Sequence, residues 1–121
     1  MPINSYKDLI VWQKSKQLAV LIYSLTSEFP KDEQYSLVSQ IRRSAISIIA
    51  NIAEGRGRGT RKDFTNFLHI ALGSCLELEA ELSISKELKF GIIGKYEEIE
   101  LLNVEVMKML TVMIQKLKTN S

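Results

Sequence analysis

The chain has 121 residues, 45% hydrophobic and 25% charged, with a formal net charge of +2 at pH 7. That length fits one domain spanning residues 1–121, and the composition is that of an ordinary folded protein, neither disordered nor disulfide-stapled. A charge of +2 is too small by itself to mark a nucleic-acid binder, and the single cysteine, Cys75, excludes an intrachain disulfide and fits a reducing compartment.

No apolar run reaches membrane-spanning length, and the N-terminal stretch has no apolar core with a basic flank, so the expected location is cytoplasmic with no membrane partner. Charge is spread unevenly. Residues 1–62 carry ten Lys/Arg against five Asp/Glu, or +5, and residues 63–121 carry six against nine, or −3. Such polarity serves RNA binding or simple helix-to-helix pairing. With two prolines and six glycines in all, the chain favours long helices.

Ser5 with Asp8 three residues on reads as a capping box, and a first helix is expected over about residues 7–28. Val11, Ser15, Leu18, Ile22, Leu25 and Phe29 step by 4 and 3 in alternation, a seam for a partner helix. Pro30 stops it. A second helix is expected over about 33–54. Its stripes are Val38, Ile41, Ala45, Ile48, Ile52, then Arg42, Ile46, Ile49, Ala53, then the small and polar Gln40, Ser44, Ser47, Asn51, Glu54. Little of it is left for solvent, and Gly55 is placed to close it. Thr60 with Asp63 forms a capping box for a third helix over about 61–88, with Phe64, Phe67 or Leu68, Ala71, Cys75, Leu78 and Leu82 on its core face. Gly73 inside it costs about 1 kcal/mol relative to Ala and implies a close approach by another backbone. Gly91 is the expected C-cap, and a fourth helix over about 95–118 presents Ile99, Leu102, Val106, Met109, Met113 and Leu117. The fold class is therefore all-α, an antiparallel up-down-up-down four-helix bundle. Its apolar surface exceeds what four helices need, which predicts a homo-oligomer burying the surplus of the first two.

Candidate chemistry is sparse. Arg56, Arg58, Arg61 and Lys62 lie within seven residues around Gly57 and Gly59, a pattern suited to phosphate contacts or to a plain solvated turn. No aromatic residue interleaves with them, so base stacking is not indicated there. Arg42 and Arg43 would meet Gly73, Ser74 and Glu77 on an antiparallel third helix, giving an interhelix or intersubunit Arg–Glu pair. Asn51 and Glu54 interrupt apolar sequence and are read as fixing register and oligomer state, with Ser44, Ser47 and Gly73 admitting close helix contact. His69 and Cys75 fall on different faces and form no nucleophile–base pair. No metal-ligand spacing, phosphate-binding Gly-Lys-Ser loop or cofactor motif occurs, so neither an enzyme, a metal nor a cofactor is expected.

Asp8-Leu9-Ile10-Val11-Trp12-Gln13-Lys14, Phe29-Pro30, Gln40-Ile41-Arg42-Arg43-Ser44, Asn51-Ile52-Ala53-Glu54-Gly55, Ala71-Leu72-Gly73-Ser74 and Glu77-Leu78 follow one pattern in order. It resembles that of the small four-helix-bundle proteins encoded within intervening sequences of bacterial 23S rRNA genes, often labelled ribosomal. The likeness covers nearly the whole chain. It implies a four-helix bundle assembled as a ring, commonly a pentamer. More distantly the chain resembles the basic pentameric accessory protein that works beside the reverse transcriptase of diversity-generating retroelements. Two roles follow from the likeness: a module binding structured RNA or a protein–RNA complex through its basic loops, or a structural, protein-interaction ring without nucleic acid.

Overall fold

The computed structural model of the chain describes residues 5–119. Among these residues there are four α-helices and no strand: α1 (Ile10–Thr26), α2 (Leu37–Gly57), α3 (Arg61–Glu87) and α4 (Tyr96–Thr119). α1 buries Val11, Ser15, Leu18, Ile22 and Leu25, the seam its spacing predicts. It starts at Ile10 rather than Lys7, because Ser5 caps a 3-10 turn, Tyr6–Asp8, with its Oγ accepting from the Lys7 amide at 3.1 Å. Tyr6 meets the Trp12 ring edge-on at 5.1 Å and Leu9 is buried, so this lead is folded back onto the helix it precedes. At the other end Phe29 turns into the core against Phe90, and Pro30 opens a second 3-10 turn, Lys31–Glu33, which delays α2 to Leu37.

α2 buries Val38, Ile41, Ala45, Ile48 and Ile52. Its second apolar stripe stays partly in water, with Ile46 44% exposed. Gly55 does not end the helix, as its position after Glu54 implied. It lies inside the helix and is buried, and a Cβ there would fall 2.6 Å from the Phe67 Cβ. The glycine is needed for close packing on α3, and the helix runs on to Gly57.

α3 begins as expected, the Thr60 Oγ1 accepting from the Asp63 amide at 3.1 Å. Among the described residues no neighbouring atom lies within 4 Å of a Cβ built at Gly73, so none of them makes the expected close backbone approach. The cap at the far end is Lys89, not Gly91. Lys89 takes φ 61°, its amide donates to the Lys86 carbonyl, and the Phe90 amide donates to the Ser85 carbonyl, both at 3.0 Å. That is the Schellman pattern with lysine in the left-handed position glycine favours. Gly91, at φ 74°, is a second left-handed residue pressed under Leu25 and Phe29.

α4 buries Ile99, Leu102, Asn103, Val106, Leu110 and Ile114. The expected Met109, Met113 and Leu117 are half-buried beside this stripe. A straight helix drifts about 20° per heptad from a strict seven-residue repeat, enough to bring Leu110 and Ile114 inward over the second half.

Each helix packs on two others, with α1 closing against α4. Between α2 and α3 the pairs run in opposite chain directions: Gly55 lies on Phe67, Ser47 on Ser74 and Ser44 on Glu81. Leu18, Ile22, Ile41, Ile48, Ile52, Leu78 and Leu82 are sealed in the middle, each contributing about 1.5–3 kcal/mol. Among the described residues no helix is long and apolar enough to cross a membrane.

Candidate nucleic-acid interface

The α2–α3 turn is short because α2 continues to Gly57 and α3 resumes at Arg61. Gly59, at φ 85°, makes the reversal. Arg56 therefore stands on the last turn of α2, Arg58 just beyond it, and Arg61 and Lys62 on the first turn of α3. The Arg58 Nε donates to Glu54 Oε2 at 2.9 Å, and its guanidinium lies over the Phe67 ring at 5.1 Å. Arg56 and Arg61 are each engaged by another group of the chain. Lys62 makes no hydrogen bond or ion pair among the described residues.

The end of α4 joins this set. Arg61, Lys62, Thr65 and Asn66 of α3 and Leu117 and Lys118 of α4 line one open cleft of about 410 Å³. Cations from the end of α2, the start of α3 and the end of α4 thus share one end of the molecule. The free amides of the α3 N-terminus carry partial positive charge, and this adds to the same field.

The signature residues of α2 face α3 along a polar seam. Ser47 Oγ and Ser74 Oγ are 2.8 Å apart, and the Asn51 amide donates to the Ser47 carbonyl at 2.8 Å and to its Oγ at 3.0 Å. Gln40, Arg43, Ser44, Ser47, Glu77 and Glu81 line a groove of about 320 Å³. Burial raises the Glu81 carboxyl above the usual range, a hydrogen bond from Ser44 opposes this and the Glu77 charge adds to it. Its Oε1 is buried with no hydrogen-bond partner among the described residues. The Ser47–Ser74 contact crosses to α3, and Asn51 is tied to it through Ser47 within α2.

Neither arginine of the adjacent pair forms the expected bond to Glu77 within the chain. Arg42 turns to α1, its Nε donating to Thr26 Oγ1 at 2.9 Å, and Arg43 has no hydrogen bond or ion pair among the described residues. Cys75 is fully buried, and burial followed by the Glu79 charge pushes its thiol up to about 12, while His69 is exposed. A thiol so protonated is no nucleophile at neutral pH.

Lys118 is the member of the basic end that spacing along the chain does not reveal. It is 56 residues from Lys62 and is brought there by the packing of α4 on α3. The signal for it is the cation in the last turn of α4, legible as a dipole partner.

A family model described as 23S rRNA-intervening sequence protein matches residues 7–112. A crystal structure of a protein of unknown function from the S23 ribosomal protein family, from Bacteroides thetaiotaomicron, is similar with a TM-score of 0.77 and 32% identity. The match covers 87% of this chain and 98% of that one. No curated protein is a match.

Proposed function

Because the chain belongs to the 23S rRNA-intervening sequence protein family, we propose that it is a non-enzymatic, oligomeric RNA-binding protein whose basic end grips structured RNA or a protein–RNA complex. The observation that carries this reading is the cleft that Arg61 and Lys62 of α3 share with Lys118 of α4, with Arg56 and Arg58 at the neighbouring end of α2. Arginines there suit phosphate oxygens because each offers several donors in a planar fork. The Arg58–Glu54 pair is solvent-exposed and worth little, so a phosphate can replace the carboxylate at small cost. Assembly as a homo-oligomer, with five copies the number implied by the family resemblance, repeats the basic end around a rim and multiplies its field. The buried lone thiol fits a reducing cytoplasm.

A second reading, a structural ring without nucleic acid, is favoured by the apolar side chains left in water, among them Val20, Ile46, Leu76 and Leu101. Filter binding of RNA against salt, with light scattering on the same samples, separates the two. Salt-steep binding lost on joint Arg56→Glu, Arg58→Glu and Arg61→Glu substitution, with mass unchanged, supports the first. No salt-dependent binding by the parent supports the second, and unaltered binding by that variant removes the basic end as the RNA contact.

A further inference from the structure

At the opposite end of α2 the structure assigns a second, chemically different contact. We propose that the groove between the end of α1 and the start of α2 receives unpaired nucleotides of an RNA, Tyr23 and Tyr35 offering ring faces and Arg42 and Arg43 holding phosphate. The proposal rests on the RNA-binding reading above and adds to it a site selective for single strands.

The groove encloses about 430 Å³, within the range of small-ligand clefts, and its lining contains no acidic residue. Tyr35 stands 94% exposed in the connection before α2, so the fold makes almost no use of its ring. Tyr23, 42% exposed, carries the Arg42 guanidinium 4.4 Å from its ring centre. Arg42 is fixed there by its Nε on Thr26 Oγ1 and, more weakly, by Nη2 3.5 Å from the Tyr23 carbonyl. Two of its five N–H donors are thus occupied and three remain. Both anchors are neutral oxygens, so the charge of Arg42 is uncompensated, and Arg43 beside it has no carboxylate partner among the described residues. Guanidinium groups with donors to spare beside exposed tyrosine rings match the two parts of a nucleotide. Phosphate takes charge-assisted hydrogen bonds from arginine, and a base stacks on a tyrosine ring or on a guanidinium plane.

An acidic peptide shares part of this chemistry, but the groove offers it little apolar anchorage. Val38 is buried, leaving Ile46 as the exposed aliphatic side chain of the lining. Paired RNA keeps its bases stacked on one another and gains nothing from the tyrosines, so the preference is for single strands.

Fluorescence anisotropy with a labelled oligouridylate and a labelled RNA duplex of equal length tests this. Tyr35→Ala, at a site too exposed to unfold the chain, is expected to weaken oligouridylate binding about tenfold and duplex binding less than twofold. Tyr35→Phe retains binding, and Arg43→Gln lowers the salt slope for oligouridylate by about one. Wild-type affinity for oligouridylate in Tyr35→Ala, while the triple-glutamate variant still loses the duplex, overturns the groove and leaves the RNA reading standing. A parent that binds neither probe overturns both. If Tyr35→Ala loses labelled polyglutamate as it loses oligouridylate, the groove docks acidic protein and the proposal fails.

Discussion

The two ends of α2 both carry arginine and hold it differently. At the C-terminal end Arg58 is tied to Glu54 and laid over Phe67, and Arg56 and Arg61 are engaged by other groups of the chain. At the N-terminal end Arg42 is anchored by a hydroxyl and a carbonyl, and Arg43 has no carboxylate partner among the described residues. An arginine tied to a carboxylate loses most of its distant field, whereas one held by neutral oxygens keeps it. What each end presents to an anion is therefore set by pairing as well as by the number of cations.

The largest effect that can break this contrast is on RNA affinity. Joint reversal of Arg56, Arg58 and Arg61 to Glu is expected to weaken duplex RNA binding about a hundredfold at low salt, read by filter retention. Next is the glycine that lets the C-terminal end close onto α3. Gly55→Ala forces a Cβ against Phe67 and is expected to cost about 1–3 kcal/mol despite the gain in helix propensity. Gly73→Ala, in open space, is expected to stabilise by about 0.5–1 kcal/mol, and chemical denaturation of the two variants side by side gives the comparison.

The paired arginines of the N-terminal end sharpen the contrast further. Arg42→Ala removes the bond to Thr26 and the stack on Tyr23 and is expected to cost about 1 kcal/mol, whereas Arg43→Ala should stay within about 0.5 kcal/mol of the parent. The smallest expected effect belongs to Glu81, across the seam from Ser44. Its folded-state affinity for a proton is raised, so the folded chain holds that proton to higher pH than the unfolded chain does. Its contribution therefore falls as pH rises from the unfolded carboxylate range through the raised folded value, and is most favourable in acid. Glu81→Gln is expected to raise the melting temperature slightly at pH 7 and to flatten its dependence over that acid interval.

Periodicity along the chain was enough for the four helices, their order and the α1 seam, because those follow from apolar spacing that no tertiary contact overrides. It misplaced what depends on a neighbour. Gly55 after Asn51-Ile52-Ala53-Glu54 has the look of a helix stop, yet only the approach of Phe67 explains it. Gly73 looked crowded and is not, and Lys89 holds a left-handed cap that composition assigns to glycine. At the basic end, Arg56, Arg58, Arg61 and Lys62 were legible because they fall within seven residues. Lys118 beside Lys62, and the stacking of Arg42 on Tyr23, were not, since each depends on how one helix packs on another.

The sealed, protonated thiol of Cys75 has a practical consequence. It donates nothing to a disulfide and resists alkylation while the helices stay together, yet it lies at the centre of α3 where any whole-bundle opening must uncover it. Its rate of modification is thus a built-in clock for that opening, and a slower clock on adding RNA would register ligand binding without any introduced label.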